Sequence, residues 1–164
     1  MVKKCEKKNE AVFVGIDPSL TSTGLIVLDQ NACIMEEKLI QTTNKDVDEA
    51  RFVKIMKALD FIKNIIRLEC VYVEGPAYGS RGNAALQLGA LHYLIRIFLY
   101  KNSLPYKIIA PKSLKLFHTG RGDTKKSEIV KIVNERYGTK FNNHNLSDAY
   151  GLARMALEDY KDEL

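Results

Sequence analysis

Apolar residues recur along this chain with two different periods, and the change between them marks out the elements. Val12-Phe13-Val14-Gly15-Ile16 is a short apolar run ended by Asp17 and Pro18, which predicts a buried strand over 12–18. Leu20 to Gly24 reads as a small polar turn, Leu25–Leu28 as a second strand, Asp29-Gln30-Asn31 as another turn, and Cys33 to Thr42 as a third strand. Short turns between successive strands imply an antiparallel meander. The period then lengthens. Over 46–68, Arg51, Lys54, Lys57, Asp60, Lys63 and Arg67 are spaced for one face of a helix, and Val53, Met56, Leu59, Ile62 and Ile66 for the other. Cys70 to Glu74 predicts a fourth strand, broken by Gly75-Pro76, and Asn83 is placed to cap a helix over 84–101. Leu104 to Ala110 is a fifth strand, and Pro111 starts a short helix to Phe117. Residues 119–123 form a basic loop, and Thr124 caps a helix to Tyr137. A polar loop, Lys140 to Asn145, precedes a last helix that begins near Leu146 and carries Asp148 in its first turn. Strands and helices alternate after the meander, so the expected fold is α/β: a mixed five-stranded sheet with helices on both faces, in one domain over 1–164.

Two acids end apolar strands, Asp17 and Glu74, and Asp148 opens a helix. A carboxylate at the end of a buried strand is costly unless a cation or hydrogen bonds offset it. Two such acids from neighbouring strand ends and a third from a crossing helix suit hard divalent ions. Mg²⁺ takes oxygen ligands and needs only one or two carboxylates when substrate phosphates supply the rest. A pair of ions about 3.5–4 Å apart activates a water and stabilises a leaving oxygen in phosphoryl displacement. Read from the residues alone, caps and turn acids remain the alternative.

Helix 84–101 lacks a polar face. The expectation is a homodimer interface built on Leu88, Leu91, Ile95 and Phe98. Charge sharpens the choice of partner. The chain carries a net +5, and residues 101–140 concentrate it in Lys101, Lys107, Lys112, Lys115, Arg121, Lys125, Lys126, Lys131, Arg136 and Lys140 against Asp123, Glu128 and Glu135. Such asymmetry points to a polyanion. With 46% hydrophobic residues but no apolar run long enough to cross a bilayer, membrane partners are not expected. Residues 1–10 read as a mobile basic tail without the apolar segment of a signal peptide. The terminal Lys161-Asp162-Glu163-Leu164 is therefore a chance match to a retention address, and Cys5, Cys33 and Cys70 fit reduced thiols in a cytoplasmic protein.

Four blocks together are more specific than spacing. GIDPSLTSTGLIVLD, YVEGPAYGSRGNAALQLGALHYLI, APKSLKLFHTGRGDTKKSEIVKIV and NNHNLSDAYGLARMAL, in this order, resemble the RuvC family of Holliday-junction resolvases over most of the chain. The resemblance implies a ribonuclease-H-like fold and a homodimeric, Mg²⁺-dependent endonuclease acting on four-way and other branched DNA, with Mn²⁺ as a substitute and no small-molecule cofactor. It implies Asp17, Glu74 and Asp148 as catalytic metal ligands. Its DNA-binding positions match Lys115 and Lys126; Lys112, Arg121, Lys125, Tyr78 and Arg81 join that set as its neighbours in the basic segment and in the loop after Glu74. The family usually has an acid or a histidine three residues before its last Asp. This chain has Asn145 there, preceded by His144, so either Asn145 or His144 meets the fourth position or the residue is a substitution that disables it. On charge alone, Asn145→Asp is expected to raise the rate. A different ribonuclease-H-like nuclease, an actin-like or sugar-kinase ATPase, and a branched-DNA-binding protein with little or no turnover are the competing readings. Against the ATPase, 164 residues supply one lobe where two are needed.

Overall fold

The computed structural model describes residues 10–43, 45–76 and 82–163, the Lys126 side chain excepted. Five strands form one sheet: β1 (Val12–Asp17), β2 (Ser22–Asp29), β3 (Ile34–Gln41), β4 (Leu68–Glu74) and β5 (Tyr106–Ile109), in the order β3-β2-β1-β4-β5. The β1–β2 and β2–β3 pairs are antiparallel; β1–β4 and β4–β5 are parallel. The meander and the mixed sheet are as expected. The second strand is longer at its start, because Ser22-Thr23-Gly24 pair with Gln41, Ile40 and Leu39 instead of turning. The Asp29 turn is built by that carboxylate, which accepts hydrogen bonds from the backbone N–H of Asn31 (2.8 Å) and Cys33 (2.9 Å).

Period-two alternation along β1 divides the molecule into layers. Val12, Val14 and Ile16 face a core shared with α1 (Asp48–Leu59), the 3₁₀ segment Asp60–Asn64 and α2 (Asn83–Lys101). Phe13 points the other way, into a cluster with Tyr72, Leu114, Leu152 and Leu157. That second face carries α3 (Pro111–Thr119), α4 (Lys126–Tyr137) and α5 (His144–Asp162). Helix α5 crosses β1 and β2 in backbone contact. A Cβ on Gly15 would stand 1.9 Å from the Ala149 carbonyl oxygen, and one on Gly24 would stand 2.2 Å from that of Asn145. A glycine inside a strand marks such close approach.

Several helix expectations need correction. The single helix over 46–68 is instead α1, a 3₁₀ turn, and an extended Ile65 leading to Arg67, whose φ of 60° turns the chain into β4. Its buried face is also rotated. Ile55, Leu59 and Ile62 are fully buried, whereas Val53 and Ile66 are exposed and Arg51 is buried with its guanidinium donating to the Thr43 carbonyl (3.1 Å). Thr124 does not cap α4. Its hydroxyl meets Thr119 Oγ1 (2.8 Å), holding the basic loop closed, and Lys125 stands at the N-cap. Gly82 rather than Asn83 stands at the N-cap of α2. Helix α5 starts at His144, capped by Asn143, whose side chain accepts from the backbone N–H of Asn145 (2.8 Å) and Leu146 (3.4 Å).

His118 on α3 packs its ring against Gly151 of α5, where a Cβ would come within 2.1 Å of it. The ring is buried and, among the described residues, neither nitrogen has a hydrogen-bond partner. Burial, aided by nearby Arg136, pushes the imidazole down from 6.5 to about 4. The unfolded chain therefore takes up this proton first as pH falls. Its contribution is complete above pH 6.5, is lost between 6.5 and about 4, and is worth about 3 kcal/mol in total. Urea unfolding at pH 7 and pH 4.5 should show a smaller loss of stability for His118→Leu than for the parent. Equal losses in the two proteins would mean that His118 is not a neutral buried group.

Candidate active site

The alternation that buries Phe13 and Gly15 against α5 carries Asp17 to the same face at the end of β1. Asp17 pairs with Gly24 on β2, and Gly24 lies under Asn145. On β4, Tyr72 faces α5, so Glu74 two residues on does too. Parallel pairing of Ile16 with Val73 sets Glu74 beside Asp17 at adjoining strand ends. There the chain leaves a cleft of about 320 Å³, lined by Asp17, Glu74, His144 and Asn145, by Leu88 and His92 of α2, and by the loop after each strand. Asp17 and Asn145 are 4% and 5% exposed, so both are held by the fold rather than by solvent.

Asp148 is brought to this neighbourhood but not into the lining. It lies one turn beyond Asn145 on α5 and is buried. Among the described residues, no three His, Cys, Asp or Glu side chains converge tightly enough to hold an ion by themselves. The donor set still fits a hard divalent cation. Asp17 and Glu74 offer carboxylate oxygens and Asn145 an amide oxygen, and two carboxylates per ion suffice when phosphate and water complete the shell.

Asn145 is more than a weaker carboxylate. Its Nδ2 donates to the Ser22 carbonyl at 2.5 Å, tying the first turn of α5 to the start of β2. Only a nitrogen can face that carbonyl, which leaves Oδ1 as the acceptor. This reverses the expectation for Asn145→Asp. A carboxylate there would confront the Ser22 carbonyl and lose a buried bond, a cost of about 1–3 kcal/mol. The variant should show a lower urea midpoint and a single-turnover rate no higher than the parent's. A faster variant of unchanged stability would restore the charge argument.

The basic residues gather at the same end of the sheet. The Gly75 N–H donates to the Ile109 carbonyl (2.7 Å), so α3, which follows β5, starts beside the loop after Glu74. Lys112 lies over Gly122, bringing α3 and the loop carrying Arg121 together. Lys112, Arg121 and Lys125 are exposed and Lys115 is half-buried, and among the described residues none is paired with a carboxylate. Lys107, by contrast, pairs with Asp159 (3.0 Å), so it serves the fold. Tyr78, Arg81 and the Lys126 side chain lie outside the described residues.

The four residues assigned to a dimer face do not form one. Leu91 and Ile95 are fully buried in the core, and Leu88 and Phe98 are packed against it. Four exposed apolar residues of α2 share the opposite side: Leu86, Tyr93, Ile97 and Tyr100, at 73%, 61%, 51% and 77% exposure. A helix apolar all round gives no phase, so its sequence did not say which stripe meets the sheet. Gly15, Gly24 and His92 went unrecognised. The glycines carried a signal, being glycines within or beside apolar strands, whereas His92 carried none.

A mixed sheet with β2 and β3 antiparallel to a parallel β1-β4-β5 set, and acids where β1 and β4 end beneath a crossing helix, defines a ribonuclease-H-like protein. Residues 13–155 match the family model described as crossover junction endodeoxyribonuclease RuvC. The chain belongs to the RuvC family. Among its relatives, the RuvC of Christiangramia forsetii is 25% identical over 171 residues, covering 98% of this chain and 86% of that protein. That of Ehrlichia canis is 27% identical over 154 residues, covering 85% and 92%. The fold is similar to Thermus thermophilus RuvC in complex with a Holliday junction substrate, with a TM-score of 0.74, 20% identity, and 93% and 94% of the two chains covered. It is also similar to the yeast mitochondrial Holliday junction resolvase, with a TM-score of 0.56, 14% identity, and 92% and 81% covered.

Proposed function

We propose that this chain is a Mg²⁺-dependent endonuclease that resolves four-way DNA junctions by paired nicks as a homodimer, with Mn²⁺ able to replace Mg²⁺. The observation that carries the reading is the cleft itself: Asp17 and Glu74 at adjoining strand ends, Asn145 across from them, and a basic edge alongside. When bound, the metal supplies Lewis-acid stabilisation of charge on the phosphodiester oxygens. The chain's own residues do the rest. Asp17, Glu74 and Asn145 hold the ion, with Asp148 behind them, and Asn143 and Ser22 fix the first turn of α5. Lys112, Lys115, Arg121 and Lys125 engage phosphates, which position a junction without reading its sequence. The reading is tested by cutting a synthetic four-way junction, with linear duplex as control, with and without Mg²⁺. Paired nicks in the junction alone support it. Binding of the junction without turnover in either metal would favour a branched-DNA-binding protein, a reading to which the neutral Asn145 lends some weight.

The dimer is proposed through the outer stripe of α2. Leu86, Tyr93, Ile97 and Tyr100 recur at helical spacing, and two copies related by a two-fold axis match two nicks across a symmetric junction. Ile97→Glu should yield a monomer with parent-like circular dichroism and a lower melting temperature that no longer depends on protein concentration, while Leu91→Glu should not fold. Analytical ultracentrifugation with circular dichroism checks both, and a dimeric Ile97→Glu protein would move the interface elsewhere.

A further inference from the structure

His92 is the cleft residue that the metal-site reading leaves unused. It follows Leu88 by four residues and precedes Ile95 by three, on the face of α2 that also buries Leu91 and Leu99. The imidazole is 5% exposed and, among the described residues, its Nδ1 has no hydrogen-bond partner. A buried polar atom left unpaired costs about 1–3 kcal/mol, and native structures keep few such atoms without a use. Helix-to-sheet packing alone would be better served by leucine. The ring lines the same cleft as Asp17 and Glu74, so the cost of its sealed Nδ1 goes with keeping an imidazole edge at that cleft, where the other ring nitrogen can meet whatever occupies it.

The chemistry of the ring narrows what it can offer. Burial, and to a lesser degree the Arg96 guanidinium, hold it below the ordinary histidine value, so it is neutral near pH 7. A neutral imidazole has one N–H and one bare nitrogen. An unpaired acceptor is tolerated more readily than an unpaired N–H, which puts the bare nitrogen at the sealed Nδ1 and the proton on Nε2. His92 therefore offers the cleft an uncharged donor beside its acids. Such a donor suits a phosphate oxygen, and unlike a lysine it neither competes with a cation for the acids nor displaces counterions from DNA.

We propose that His92 is a DNA-contacting residue, donating from Nε2 to a phosphate oxygen of the strand laid across Asp17 and Glu74 and so holding the phosphodiester in register with them. This rests on the nuclease reading above, but the two are separable by experiment. The chain has only three histidines, so ¹⁵N-histidine spectra can be assigned with single variants. Adding a synthetic four-way junction in EDTA should shift the His92 Nε2 resonance and leave that of His118 unmoved. In Mg²⁺, His92→Leu should cut the junction about tenfold to a hundredfold more slowly in single turnover, the range expected for one hydrogen bond to a charged acceptor. Its melting temperature should be equal or higher and its salt slope for binding unchanged, while His92→Asn, which restores an N–H donor, should recover part of the rate. An unshifted His92 resonance with the junction bound, or parent-like cutting by His92→Leu, overturns the contact. A shifted resonance in a protein that never cuts would instead keep the contact and remove the nuclease.

Discussion

Asp17→Asn and Glu74→Gln should each slow single-turnover cutting of a four-way junction by about a thousandfold or more, with binding kept or improved. Losing about 4 kcal/mol of transition-state stabilisation is about three orders of magnitude in rate, and a metal supplies several kcal/mol. Binding should survive because these acids repel the phosphate that the cation attracts. Mg²⁺ should also raise the melting temperature of the parent, since a ligand held only by the folded state stabilises it, and should do so less in either variant. Asp148→Asn is the discriminating case. Asp148 is buried one helical turn beyond Asn145 and is not part of the cleft lining. A comparable loss would mean that ion and DNA draw it into the site, and near-normal turnover would restrict the ligand set to Asp17, Glu74 and Asn145. Near-normal turnover in Asp17→Asn or Glu74→Gln would remove that residue from the site altogether.

Gly15→Ala should be among the most destabilising single methyl additions in the molecule. Its Cβ would meet the Ala149 carbonyl oxygen at 1.9 Å and the Ala153 nitrogen at 2.6 Å. Both are backbone atoms of α5, so no side chain can swing aside and the helix itself must move. The expected loss is about 3 kcal/mol or more, at or beyond the upper end of ordinary overpacking. Gly24→Ala meets the Asn145 carbonyl oxygen at 2.2 Å, but at the first turn of the helix, where less packing must be displaced. It should therefore cost less stability and more activity, since the turn it lifts carries Asn145 and leads to Asp148. Urea unfolding and single-turnover cutting of both variants test this. A parent-like urea midpoint for Gly15→Ala would show that α5 does not rest on β1 as closely as the structure places it.

Much of the fold could be read along the chain because strands advertise themselves locally. The apolar runs at Val12–Ile16 and Cys70–Val73 are short, bounded by Pro or Gly, and end in acids, so both the strands and the carboxylates at their ends were visible before any contact was known. The four ordered blocks supplied the family for the same reason, each being a contiguous stretch. The faces of the helices were not visible. In α1, periodicity fixed the angle between apolar positions but not the direction of the sheet, and burying Arg51 in place of Val53 required the Thr43 carbonyl, which no local pattern announces. In α2, apolar residues all round gave no phase, so the stripe with Leu91 and Ile95 was expected to face a second copy, whereas the sheet beneath takes it into the core and leaves Tyr93, Ile97 and Tyr100 outside. The role of Asn145 was likewise undetermined by residue type. Charge counting makes it a deficient ligand, whereas its bond to Ser22, 123 positions away in sequence, makes it a tie between α5 and β2. Sequence determines what each element is, because hydrogen-bonding periods and turn residues act over a few positions. Tertiary structure decides what each side chain meets, because that depends on surfaces brought together from distant parts of the chain.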